Sequence, residues 1–173
     1  MKWPVVALFS LLSGCASMSD ALTPSALTLV DQFDGNVIVR QSPVEAASNI
    51  GEPSHILGFE WNQKFPDIIF ITAGSIRGPR PIQNIAFNAD GTIIENLKPA
   101  TNLTDVRESR GARRFEMPLA QFQAIASAKV VKMRLEASNA YTVSSFGSGS
   151  GTAIVNLKFT PFLEKVRAAR LKR

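Results

Sequence analysis

The spacing of apolar residues along this chain changes period several times. Asn36–Arg40, Ile56–Trp61 and Asp67–Thr72 are short runs rich in β-branched and aromatic residues, bounded by Gly, Pro, Asn or Asp, and such runs predict strands. The third is apolar on both faces, which places it centrally in a sheet. Between Ile82 and Leu97 two β-type runs flank Asn88-Ala89-Asp90-Gly91. This is a hairpin in which Gly91 supplies the left-handed residue of a type I turn followed by a bulge. Arg113–Met117 predicts another strand, and Pro118 then stands where the first position of a helix tolerates proline.

Leu119, Phe122, Ile125 and Ala126 recur at helical spacing and predict an amphipathic helix to about Ala128. Val131, Met133 and Leu135 then alternate with Lys132, Arg134 and Glu136, as in an antiparallel strand with one solvated face. Ser138-Asn139 turns the chain into Tyr141–Ser144. Near the C-terminus, Ala153, Val155, Leu157 and Phe159 alternate, while Ile154, Leu157, Phe162 and Val166 could share a helical face. A proline inside a helix costs about 3 kcal/mol, so Pro161 favours a strand to Phe159 and a helix from Pro161 to Leu171, capped by Thr160. The expected fold is α+β: an antiparallel sheet or sandwich-like core of seven to nine short strands, with one or two helices packed against it.

The N-terminus follows neither period. Lys2 precedes an apolar run from Trp3 to Leu12, and Ser13-Gly14 makes a small-residue exit, the three parts of an export signal. The run is shorter than the roughly 20 apolar residues a transmembrane helix needs. Leu12-Ser13-Gly14-Cys15 resembles the lipobox of bacterial lipoproteins, a likeness confined to the N-terminus. The resemblance implies cleavage between Gly14 and Cys15, a diacylglyceryl group on the Cys15 thiol, and fatty acylation of the new amino group. Two or three chains anchor stably where one does not. Cys15 is the chain's single cysteine. Ala16 follows it, with no Asp at the second mature position, and by the same resemblance this directs the protein to the outer membrane, facing the periplasm. The expected organisation is a signal peptide over residues 1–14, a lipidated tether over 15–25, and one globular domain over 26–173.

Composition agrees with a single core. The chain of 173 residues is 45% hydrophobic and 19% charged, proportions of an ordinary globular domain. The formal charge of +5 becomes +4 once Lys2 leaves with the signal, 18 basic residues against 14 acidic.

Candidate chemistry is thin. His55 is the only histidine, so a Ser-His-Asp or Cys-His site would have to be built on it. A strand-edge or loop role is the simpler reading, and no Gly-x-Ser-x-Gly elbow is present. Zinc and calcium sites lack their ligand patterns. Paired carboxylates for glycoside hydrolysis could be assembled from Glu60, Asp67 and Glu116, whose default role is surface salt bridging. Phe146–Thr152 is Gly-rich but lacks the P-loop and dinucleotide spacings, and reads as a flexible connection with a lid or partner-binding loop as the alternative. Trp61, beside Asn62-Gln63-Lys64, could line a groove, although packing at a sheet end is the simpler role. Phe59, Phe70, Phe87, Phe122 and Phe162 read as core.

Arg107, Arg110, Arg113 and Arg114 form a basic cluster that could meet lipid headgroups or an acidic partner. A second group, Lys165, Arg167, Arg170, Lys172 and Arg173, complements the dipole of a C-terminal helix. No stacking aromatics interleave with these cations, so nucleic acid is not an expected partner. Together these features predict a membrane-anchored envelope lipoprotein with a non-enzymatic binding or structural domain. It would need no cofactor, and its partners would be the membrane and an envelope protein. The alternatives are a carboxylate-dependent envelope hydrolase or a small-ligand carrier.

Overall fold

The computed structural model describes residues 24–47, 51–76, 81–100, 111–149 and 153–171. Ten strands and two helices are present among them. They run, in chain order, β1 (Leu27–Val30), β2 (Val37–Glu45), β3 (His55–Asn62), β4 (Ile68–Ser75), β5 (Asn84–Ala89), β6 (Thr92–Ile94), β7 (Lys98–Pro99), β8 (Arg113–Pro118), α1 (Leu119–Ser127), β9 (Val131–Ala137), β10 (Ala140–Phe146) and α2 (Asn156–Arg170). The fold is α+β, with two antiparallel sheets. A six-stranded sheet has the order β1-β2-β3-β4-β8-β7 and a four-stranded sheet the order β10-β9-β5-β6. The strand count is one above the expected range, because β1 and the two-residue β7 carry little pattern.

Register sorts the side chains of the first sheet. Val39 pairs with Trp61, Trp61 with Ile69, and Ile69 with Met117, and all four are buried. Opposed residues of an antiparallel sheet share a face, so this row marks the inner face. Phe59 on the same face meets the rings of Phe122 from α1 and of Phe159 and Phe162 from α2, at centroid distances of 4.9, 4.9 and 5.5 Å. Each such ring contributes roughly 1.5–3 kcal/mol through burial. Ile85, Phe87, Met133 and Leu135 of the second sheet join the same buried cluster. Both helices therefore lie on the inner face of the six-stranded sheet, and no described element covers its outer face.

The β5–β6 hairpin forms, but with a tighter turn than expected. Ala89 pairs with Thr92, leaving Asp90-Gly91 as a two-residue loop, and both residues have positive φ, 48° and 93°. This is a type I′ turn, whose twist matches the strands. Asp90 tolerates the conformation because its carboxylate accepts from the backbone N–H groups of Lys129 and Val130, at 2.9 and 2.8 Å.

The C-terminal strand over Ala153–Phe159, with Thr160 as a cap, is contradicted. The helix begins at Asn156 and carries Pro161 inside it. Its first turn is tight: Asn156, Leu157 and Lys158 donate to the carbonyls three residues back. Pro161 is the sixth helical residue, so the carbonyl its ring leaves without a donor is that of Leu157, a residue 70% exposed and open to water. The cost is further offset by burial of the Phe159, Phe162, Val166 and Ala169 stripe, whose first member joins this helical face only because the helix starts early.

Candidate functional site: the open face of the six-stranded sheet

Alternation along β2, β3, β4 and β8 places a second row on the outer face. Leu27 pairs with Arg40, Arg40 with Glu60, Glu60 with Phe70, Phe70 with Glu116, and Glu116 with Lys98. Arg40 reaches Glu60 Oε2 through Nε at 2.7 Å, and Arg114 pairs with Glu60 Oε1 from the other side. The Arg114 guanidinium also lies 4.3 Å from the centroid of the Phe70 ring, a cation–π contact. Phe65, half exposed at the β3–β4 turn, meets Phe70 edge-on at 5.8 Å. Leu29 pairs with Ile38 on the same face. The outcome is a surface with an Arg-Glu-Arg group at its centre and Leu27, Leu29, Ile38 and Phe70 around it, while Phe65 stands beyond its edge in the β3–β4 turn. Phe70, expected in the core, is only half buried because its position in β4 has outward parity.

The neighbouring Arg113 points the other way. It donates to the carbonyls of Ile82 and Gln83, at 3.3 and 2.7 Å, and lies 5.6 Å from the Phe115 ring centroid. It thus ties the first sheet to the chain leading into the second. The expected four-arginine cluster is divided by the strand: Arg114 belongs to the open face and Arg113 to the junction. Arg107, Arg110, Gly14 and Cys15 lie outside the described residues.

His55 opens β3 and is fully buried. Its Nδ1 is 2.8 Å from Ser144 Oγ and its Nε2 2.8 Å from Thr142 Oγ1, both on β10. Ser144 donates its one hydroxyl proton to the Ala46 carbonyl at 2.8 Å. That assigns the imidazole proton to Nδ1, leaving Nε2 to accept from Thr142. Burial pushes the pKa of His55 down to about 4, partly opposed by the negative charge of Glu52. The Ser144 hydroxyl is committed to a backbone carbonyl and is buried with the histidine, an arrangement that joins two sheets rather than one that exposes a nucleophile.

The remaining candidates are placed as follows. Glu60 and Glu116 stand on one outer row with Phe70 between them, roughly 10 Å apart by strand spacing. Each is ion paired, Glu116 with Lys98 at 3.3 Å. Asp67 lies in the β3–β4 turn and pairs with Arg170 at 3.4 Å. Trp61 is buried and donates its indole N–H to the Pro66 carbonyl at 3.0 Å. The Gly-rich segment is fixed where it is described. Gly147 donates to Asn156 Oδ1 at 2.8 Å and accepts from Asn156 Nδ2 at 2.9 Å, while Gly149 donates to the Lys129 carbonyl at 2.7 Å. Among the described residues of this segment, the backbone donors of Gly147, Ser148 and Gly149 are taken by protein acceptors. Among the described residues no group of three or more His, Cys, Asp or Glu side chains could hold a metal, and no helix is long and apolar enough to cross a membrane.

Sequence reasoning missed Leu27, Leu29 and Arg40 as surface-forming residues. The available signal was the apolar Leu27, Leu29 and Val30 just ahead of Asp31. Comparison with protein families, with curated proteins and with solved structures finds no match to the chain.

Proposed function

We propose that the protein is a lipid-anchored envelope module that holds another envelope protein on the outer face of its six-stranded sheet. The observation that carries this reading is the open face itself, with apolar side chains surrounding Arg40, Glu60 and Arg114. Arginine and aromatic side chains such as Arg40, Arg114 and Phe70 are residue types enriched at protein interfaces. Two guanidinium groups share one carboxylate, so the group carries net positive charge and suits a partner that supplies an acid amid apolar contacts. The anchor rests on the likeness of Leu12-Ser13-Gly14-Cys15 to a lipobox.

The test is cross-linking in intact cells with the wild type, Leu29→Glu, Arg114→Glu and Cys15→Ala. The reading expects one envelope protein to be captured by the wild type and lost with either face variant, and Cys15→Ala to leave the membrane fraction. Equal recovery of the same species from the wild type and both face variants, or no specific capture at all, contradicts it.

A further inference from the structure

One end of the molecule gathers exposed apolar side chains from three separate elements. The β1–β2 turn carries Phe33, 97% exposed, and Val30 beside it is 61% exposed. The adjacent β3–β4 turn carries Phe65, 51% exposed, and the C-terminus of α2 carries Leu171, 80% exposed. Ion pairs hold the three together: Asp34 with Lys64 between the two turns, and Asp67 with Arg170 between the second turn and the helix.

Phe33 is presented by a rigid turn. Its N–H donates to Asp31 Oδ1 at 2.8 Å, Gly35 donates to the Asp31 carbonyl at 2.8 Å, and Asn36 donates to Asp34 Oδ1 at 2.9 Å. Beside Leu171 a groove of about 320 Å³ is lined by Leu119, Leu163 and Val166, with Arg167 and Arg170 at its rim.

We infer that this end is a membrane-docking tip: Phe33, Phe65 and Leu171 enter a phospholipid surface, while Lys64, Arg167 and Arg170 meet the headgroup phosphates. Aromatic and leucine side chains ringed by Lys and Arg are the composition of the bilayer interface. Asp31, Asp34 and Asp67 share the tip, and pairing of Asp34 and Asp67 with cations lets it approach phosphate without a net negative charge. The tether supplies the second argument, one that rests on the proposed anchor. Gln41 Nε2 donates to the Pro24 carbonyl at 2.9 Å, fixing where the chain joins the domain. Gln41 is four residues from Val37, the β2 residue nearest the tip, or about 13 Å along the strand. The nine residues from Cys15 to Pro24 span up to about 30 Å, so an anchored Cys15 reaches the bilayer on which the tip would stand. In that orientation the open sheet face is turned sideways, toward neighbouring envelope proteins.

The test uses the full acylated chain in phosphatidylethanolamine and phosphatidylglycerol vesicles. Cys15 is consumed by the lipid, so a single introduced cysteine takes a polarity-sensitive fluorophore. Val30→Cys reports on the tip and Tyr141→Cys on the second sheet. The expected result is a blue-shifted, quencher-protected label at position 30 and an aqueous one at 141, with the shift at 30 lost in Phe33→Ser. Detergent-phase partitioning and the mass of the N-terminal peptide report acylation independently. An aqueous label at position 30 on an acylated chain overturns the tip and leaves the anchor standing. A protected label on a chain that carries no acyl group overturns the anchor and leaves the tip. Equal protection at 30 and 141 also overturns the tip.

Discussion

Arg113 and Arg114 are consecutive residues of one strand, yet they belong to regions of opposite character. Arg113 lies in a polar seam between the two sheets, where its guanidinium meets the Ile82 and Gln83 carbonyls and where His55 meets Ser144 and Thr142. Arg114 lies on the open face, paired with Glu60 and stacked on Phe70. In the seam these groups meet fixed partners at buried or part-buried positions, so loss of one leaves another without its partner. On the open face Glu60 is shared by two arginines that both reach the surface, so loss of either one leaves the carboxylate paired and costs little stability, and the guanidinium groups remain available to a ligand. Strand parity alone decides which arginine does which.

That contrast can be broken from the seam side first. His55→Ala should cost about 3 kcal/mol, from the cavity and from two hydroxyls losing a partner, and chemical denaturation of the variant checks it. A midpoint equal to the wild type would remove the seam as a structural feature.

The acid response follows from the same residue. The unfolded imidazole titrates near 6.5 and the folded one near 4, so below pH 6.5 the unfolded state binds the extra proton. Stability is full above pH 6.5, falls as the pH drops toward 4, and is flat in this component below that. The loss is roughly 3 kcal/mol over the window. Denaturation midpoints across this range should slope for the wild type, and His55→Gln should flatten the slope.

Smaller effects separate the two arginines. Arg113→Met should destabilise by about 1–2 kcal/mol, since two carbonyls at the junction lose a charged donor. Arg114→Met should cost only about 0.5 kcal/mol, because Glu60 keeps its pairing with Arg40. Paired thermal melts sharpen the comparison: equal shifts for the two would mean that parity does not separate seam from face.

Much of this architecture was legible. The alternation in Val131–Glu136 and the apolar run in Ile68–Thr72 are periodicities that burial imposes directly, and both strands form where the pattern puts them. What escaped depends on contacts distant in sequence. Pro161 argues against a helix locally. The helix nevertheless runs through it, because Phe159 and Phe162 pack on Phe59 and Asn156 clasps Gly147. The Gly-rich segment reads as flexible until Asn156 and Lys129 are seen to hold it. The open face was hidden for another reason. It is written in every second residue of four strands, and Leu27-Thr28-Leu29-Val30 shows no burial bias because all four are exposed. His55 was visible as the only histidine, but its partners lie 87 and 89 residues away.

The central claim is that the open face of the six-stranded sheet is the working surface. It is tested most directly by placing one photoreactive side chain at position 29, on that face, or at position 141, on the outer face of the second sheet, and irradiating intact cells. The account predicts a discrete adduct with a single envelope protein from position 29 and none from position 141. Adducts of the same species and yield from both positions, or from position 141 alone, would contradict it.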